Sequence, residues 1–301
     1  MRPRLGRDGR SRASSRRLFG RFWRMNPLLA IGVIVISAVV MIALMMLVRR
    51  HSPSRGRFAG SVGASSVFGF LGSGFAILLG FIIFLSFGTY DSAATRSDAE
   101  AAAVTAQFRT AADFGGGRAT DAQGLLMCYA RSVISQEWQS LQDGQRSPVT
   151  EAWMVGLDDV GVREQNATST GAEPVTAWWA STNERNLGRS GRVLVAEGQI
   201  PMLLWALLVI AAILVVGYVL LYADPDEGWL AQASMMGGVT VLVVSALLAV
   251  QVLAVPFSGE SGSINPVSME YTLVQMDQLA KADLEAAPTV YCDKAGLPLA
   301  K

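Results

Sequence analysis

The sequence predicts an all-α integral membrane protein with four transmembrane helices. A helical cytosolic bundle forms between spans two and three, and an amphipathic helix lies near the C-terminus. Three observations lead there. The 301 residues are 51% hydrophobic and only 16% charged, against roughly 25% charged in soluble domains, so much of the surface faces something other than water. Four long apolar runs contain no ionisable side chain, and in lipid such a run satisfies its backbone only as a helix. The polar residues gather before, between and after these runs instead of alternating with them.

Residues 1–24 are basic, with nine arginines against the single acid Asp8. The stretch has no apolar period and is expected to be disordered and topogenic, each basic residue near anionic lipid contributing about 1 kcal/mol. Nucleic-acid binding is not expected, since no aromatic platform or folded basic module accompanies the arginines.

Residues 25–90 form a transmembrane hairpin. Span one is Pro27–Val48, too long for a signal peptide and without a small-residue cleavage pattern. Span two is about Val67–Tyr90. Phe19, Phe22 and Trp23 precede span one and Tyr90 closes span two, as interfacial aromatics do. Between the spans, His51 stands beside Arg49 and Arg50 with no acidic partner in sequence.

Residues 91–199 are the cytosolic helical region. "DSAATRSDAEAAAVTAQFRTAADF" is alanine-rich helix former with no breaker before Gly115–Gly117, so span two is expected to run on unbroken to the glycines. A second helix is expected from Thr120, with Thr120 and Gln123 as a capping box and Leu125, Tyr129, Val133 and Trp138 as its apolar face. Ser147 caps a third helix with Pro148 at its first position and a stripe of Val149, Trp153, Leu157 and Val160. A fourth begins near Glu173 and carries Trp178 and Trp179. Tryptophans at helical spacing read first as core.

Residues 200–257 form the second hairpin, with spans 200–222 and 229–255 joined by the short acidic turn "ADPDEG". Pro256 stops the last span. Residues 258–301 follow: a flexible exit through "SGESG", then a helix of about Pro266–Glu285 capped by Asn265. Val267, Tyr271, Val274 and Leu279 are its apolar face, expected to lie against the cytosolic bundle or the membrane surface, and the tail from Ala286 is expected to be mobile.

The nine N-terminal arginines, with Arg185, Arg189 and Arg192 before span three, outweigh the four of "RRHSPSRGR" (Arg49, Arg50, Arg55 and Arg57) and place the N-terminus in the cytosol, and four spans return the C-terminus to the same side. Arginine outnumbers lysine 22 to 3 in an alanine-rich chain, which hints at a GC-rich bacterial genome and thus at a bacterial inner membrane. Cys128 and Cys292 are then expected as free cytosolic thiols, with a disulfide open if their shared side is extracellular.

Three stretches carry a family resemblance. "CYARSVISQEWQSL" holds Tyr129, Glu137 and Trp138; "GRVLVAEGQIPMLLW" is an arginine-containing run into Ile-Pro; "VPFSGESGSINPVSMEYTL" is a Pro-Phe-Ser-Gly exit before a helix. In their order over about Val67–Leu279 they resemble the bestrophin-like domain family, bacterial four-span membrane proteins of unknown function. The N-terminal arginine segment lies outside the resemblance, and none of the bestrophins' own motifs is present. The family's name implies kinship with bestrophins, anion channels assembled as pentamers around a pore lined by the second span. The resemblance therefore implies a homo-oligomeric passive ion channel, for anions, in the lipid bilayer.

On that reading Ile77, Phe81, Phe84 and Leu85 line the pore, where a ring of them makes a hydrophobic constriction. Gly72, Ala76 and Gly80 form a small-residue stripe for helix packing. The same patterns serve any membrane bundle. Arg185, Arg189 and Arg192 share a helix face before span three, to line a vestibule or snorkel to headgroups. The acidic excess of Asp91–Glu197, fourteen acids to nine arginines, gives no support to anion selectivity. The alternative is a non-conducting scaffold or accessory subunit that binds a protein partner through its cytosolic helices. An enzyme or coupled carrier is disfavoured, because the spans bury no ionisable group and no nucleotide loop, metal spacing or nucleophile motif is present. Glu137 reads as a solvated or ion-paired carboxylate, and no catalytic residue, cofactor or metal is expected.

Overall fold

The computed structural model describes residues 27–51, 62–167, 171–196, 200–224, 227–259, 261–282 and 287–299. The basic stretch 1–24, its aromatics Phe19, Phe22 and Trp23, and the arginines at 55 and 57 lie outside the described residues. Those described are helical apart from connections and one isolated antiparallel bridge, Cys292 with Pro298. The chain divides into two compact units, an apolar one of residues 24–89 and 199–254 and a polar one of residues 1–23, 90–198 and 255–301.

Four helices are long and apolar enough to cross a membrane: α1 (Pro27–His51), α2 (Val62–Ala112), α7 (Met202–Leu220) and α8 (Trp229–Ala254). All four expected spans are thus present. The largest extension is in α2, which runs 51 residues as one uninterrupted helix. Its alanine-rich second part carries the helix past the apolar run, as the composition predicts. Gly115 and Gly116 then reverse the chain with φ of 76° and 54°, a region closed to most side chains.

In the apolar unit α1 packs chiefly on α8, and α7 lies against α8. One buried cluster joins Phe75, Ile82, Leu208, Val215, Val243 and Val250; another joins Met41, Met45, Val219, Ala223, Ala233 and Met236. The arginine that follows span one finds its partners at the acidic turn. Arg49 Nη1 donates to Gln232 Oε1 at 2.8 Å and Nη2 to the Glu227 carbonyl at 2.7 Å, while Gln232 Nε2 donates to Glu227 Oε2. Most of the apolar surface stays uncovered: only 11% of the most apolar window of α2 is buried.

The polar unit holds the second part of α2 together with α3 (Gly116–Ser132), a π-helical turn (Val133–Glu137), α4 (Trp138–Gln142), α5 (Pro148–Asn166), α6 (Ala172–Ala196) and α9 (Val267–Ala282). Trp138, Trp153, Trp178, Phe108, Phe114 and Phe257 fill one core, each buried aromatic of this kind contributing roughly 1.5–3 kcal/mol. Ser147 caps α5 as expected, accepting from the Thr150 amide at 3.4 Å.

Five sequence expectations are corrected here. The second helix starts at Gly116, not Thr120, because the glycine turn lets it begin at once. Thr120 lies inside it and donates to the Gly117 carbonyl, and Gln123 donates to the Phe108 carbonyl. On α9 only Leu279 of the expected face packs on the bundle; Val267, Tyr271 and Val274 are exposed, Tyr271 at 71%. Unbranched Met269 and Met276 fill the core instead, and Thr272 joins them because its hydroxyl is satisfied by Thr105 and the Ala101 carbonyl. The exit after span four is pinned, not flexible. Phe257 meets Trp138 edge-on at 5.5 Å, Trp138 Nε1 donates to the Ile264 carbonyl, and the Tyr90 hydroxyl donates to the Gly262 carbonyl. The tail is packed, with Trp153 Nε1 donating to the Gly296 carbonyl at 2.8 Å. Finally, Cys128 and Cys292 are not free thiols; they form a disulfide across 164 residues.

Candidate functional site

The pore-lining candidates project from one helix. Ile77, Phe81, Phe84 and Leu85 are 74%, 58%, 73% and 45% exposed, so none is used as core by its own unit. Leu85 also borders a cavity of about 200 Å³ with Ile82, Ser86, Thr89, Ile200 and Leu204. The packing candidates Gly72, Ala76 and Gly80 are not buried either, and a Cβ built on either glycine meets nothing within 4 Å among the described residues beyond its own turn of helix. Whatever the small stripe packs on, it is not another helix of this chain among those described.

The three arginines have a different fate. Lining an open vestibule or snorkelling needs an exposed guanidinium, yet Arg185, Arg189 and Arg192 are 0%, 4% and 0% exposed. Their spacing on α6 turns all three inward, where each meets a partner far off in sequence. Arg192 forms a two-point bridge with Glu100 of α2, Nε to Oε2 at 2.8 Å and Nη2 to Oε1 at 3.0 Å. The Tyr129 hydroxyl donates to the same carboxylate at 2.8 Å. Arg189 bridges Glu137, Nε to Oε1 at 3.1 Å and Nη2 to Oε2 at 3.0 Å. Arg185 donates to Gln107 at 3.0 Å, whose amide donates on to Thr182, and reaches half-exposed Asp158 at 3.4 Å.

Local structure makes this ladder possible. The π-turn inserts a residue into the α3–α4 helix, bringing Glu137 to Arg189 and Trp138 under Arg192, whose guanidinium sits 4.8 Å from the ring centroid. At Gly188 a Cβ would meet the Glu100 amide and the Arg96 carbonyl at 2.8 and 2.9 Å, so only glycine lets α6 approach α2 this closely.

Electrostatically the ladder is nearly closed. Burial, then the negative charge of Glu100, holds the Tyr129 phenol well above its ordinary value of 10.0. Burial lowers Arg185. Burial also opposes the charge of Arg192, but Glu100 more than offsets it and the net shift is upward. Each buried carboxylate of the ladder is paired with a guanidinium, Glu100 with Arg192 and Glu137 with Arg189, so the ladder is built for cohesion. No group of His, Cys, Asp and Glu suited to a metal occurs among the described residues. His51 lies apart, its Nδ1 on the Leu47 carbonyl of its own helix.

The sequence points to the arginines but not to Glu100, Gln107 and Tyr129 as their partners. Sequence separations of up to 92 residues hide the pairing; the one visible signal is three arginines on a single helix face.

The same architecture occurs in solved structures. A bacterial bestrophin homologue from Klebsiella pneumoniae is 14% identical, with 84% of this chain and 99% of that one covered at a TM-score of 0.62. A single-residue variant of the Klebsiella pneumoniae homologue is 13% identical over 83% and 98%, at a TM-score of 0.66. A third, described as a membrane protein, is 13% identical over 87% and 99%, at 0.64. Likeness at such identity concerns the fold alone. Among curated proteins none matches. The Bestrophin-like domain matches residues 32–268. With that match spanning well over half of the sequence, the chain belongs to the Bestrophin-like domain family.

Proposed function

We propose that the chain is one subunit of a homo-oligomeric passive ion channel, an anion channel by the family's kinship, with α2 lining the pore. The observation that carries this reading is the outward display of Ile77, Phe81, Phe84 and Leu85 on a helix whose small stripe, Gly72, Ala76 and Gly80, is free to meet another subunit. A ring of these side chains from several copies makes a constriction that closes by expelling water. The buried arginine ladder fixes the helices of the polar unit and does not touch the ion. Basic residues at the N-terminus favour cytoplasmic termini in a bacterial inner membrane, with the polar unit in the cytosol.

Flux in liposomes tests this. Purified full-length chain is expected to pass chloride, with Phe81→Ala changing the rate about tenfold, since one large apolar ring sets a dewetting barrier. Exposed Phe81 serves no core, so folding stability is expected to move by no more than about 0.5 kcal/mol. Flux of sodium instead of chloride keeps the pore and removes anion selectivity. A strict monomer without flux of any small ion leaves the scaffold reading, with the exposed face of Val267, Tyr271 and Val274 as its docking surface.

A further inference from the structure

We propose that Cys128 and Cys292 are a reversible redox modification site, a latch that fastens residues 287–299 to the polar unit and is opened by a cytosolic dithiol. The source of the reductant rests on the orientation proposed above; the latch itself does not depend on ion conduction.

The chain has two cysteines in all, and they pair. Cys128 lies in α3 and is 0% exposed, and Cys292 in the terminal segment is 4% exposed, so a reductant reaches the pair when that segment opens locally. Beyond the disulfide the segment is held chiefly by hydrogen bonds. It forms one isolated bridge and no helix. Tyr291, Leu297 and Leu299 are 39%, 39% and 56% exposed, and beside Cys292 the apolar anchor is Val290, partly buried against the core. Among the described residues its direct fastenings are five hydrogen bonds, none of them an ion pair: the Thr289 amide to the Thr120 carbonyl at 3.0 Å, the Tyr291 hydroxyl to Asp121 at 2.6 Å, Trp153 to Gly296, Arg131 to the Asp293 carbonyl at 3.5 Å, and Gln136 to the Ala295 carbonyl. A short segment held this way frays once its covalent bond is cut.

What it presses on gives the latch a consequence. The Thr289 carbonyl occupies the space of a side chain at Gly124, and Gly296 lies against the backbone of Ser132. Gln136 donates to the Ala295 carbonyl at 3.4 Å. Ser132 immediately precedes, and Gln136 lies within, the π-turn that brings Glu137 to Arg189 and Trp138 under Arg192. The segment therefore clamps the least regular turn of the unit, and releasing it loosens the ladder's geometry from one end.

Disulfides in a bacterial cytosol are mostly transient and redox-sensing. The reaction balances with a dithiol of the thioredoxin class as reductant. Its thiolate attacks Cys292 Sγ, the disulfide breaks, and the Cys128 sulfur leaves as thiolate and takes a proton. The reductant's second thiol resolves the mixed disulfide. Two electrons and two protons pass to the pair, and the reductant ends oxidised.

The test uses the full-length chain in mild detergent. Tryptic cleavage at exposed Lys294 is followed by mass spectrometry before and after dithiothreitol. Reduction is expected to speed cleavage by about tenfold or more, and oxidised glutathione to reverse it. Cys292→Ser is expected to cleave at the fast rate with or without reductant. An unchanged rate in the reduced wild-type chain overturns the latch, and that comparison needs no variant to fold. In cells, thiol trapping is expected to find the pair largely reduced during growth and oxidised after a thiol oxidant. A pair that stays oxidised throughout is a permanent cross-link and overturns the proposal. So does labelling of the reduced pair by a membrane-impermeant reagent from outside, a result that leaves the channel reading untouched.

Discussion

The two units bury opposite chemistry. Inside the polar unit lie Arg185, Arg189, Arg192, Glu100 and Glu137, groups a sequence reader assigns to the surface. On the outside of the apolar unit stand Ile77, Phe84, Leu203 and Ile213, groups the same reader assigns to a core. The solvent explains the inversion. In lipid, apolar side chains gain nothing by hiding, so the apolar unit spends its interior on close contacts and one polar clasp. In water the polar unit must hide its aromatics, and it secures their packing with ion pairs that tolerate little displacement.

The sharpest way to break the comparison is Glu100→Gln, which leaves Arg192 buried without its countercharge. Thermal or denaturant unfolding in detergent is expected to show a loss of about 3–5 kcal/mol. A loss under about 1 kcal/mol would mean water reaches the ladder, and the contrast between the units would collapse.

Tyr129→Phe comes next. It removes a hydrogen bond to a buried carboxylate, about 1.5–3 kcal/mol at neutral pH. Because the folded state raises the phenol's pKa, its stabilisation is fully present below about pH 10, the unfolded value, and is lost as pH climbs toward the folded one. The phenylalanine variant carries no such proton, so the gap between variant and wild type is expected to narrow above about pH 10. A gap constant across that range would place Tyr129 in contact with water.

The apolar unit's clasp is the mildest of the three. Gln232→Leu removes the acceptor of Arg49 and the donor to Glu227, yet polar contacts between membrane helices average only about 0.6 kcal/mol, with a ceiling of about 1.7. A cost matching that of Glu100→Gln would show that the clasp lies away from water and headgroups.

Legibility in sequence follows the same divide. The spans read clearly because uncharged runs admit one backbone solution in lipid, and the length of α2 read clearly because alanines continue where the apolar run stops. Ser147 and Pro148 announced the start of α5 through local chemistry alone. The ladder did not read, because Arg192 and Glu100 are brought together by tertiary packing that no local pattern encodes. The face of α9 misread for a related reason: Val267, Tyr271 and Val274 have the better hydrophobic spacing, but Met269 and Met276 have the more adaptable shape. Cys128 and Cys292 misread because the compartment argument weighs where disulfides last and says nothing of which side chains meet.

The π-turn at Val133–Glu137 has a consequence for insertions and deletions. A helix advances about 100° per residue, so one supernumerary residue there sets the angular phase of everything from Trp138 to Gln142. Excising a single residue such as Ile134 would straighten the rod into ordinary α-helix and swing Glu137 and Trp138 to different compass points on its surface, with no side chain chemically altered. The polar interior of this protein is thus indexed by one count in the chain.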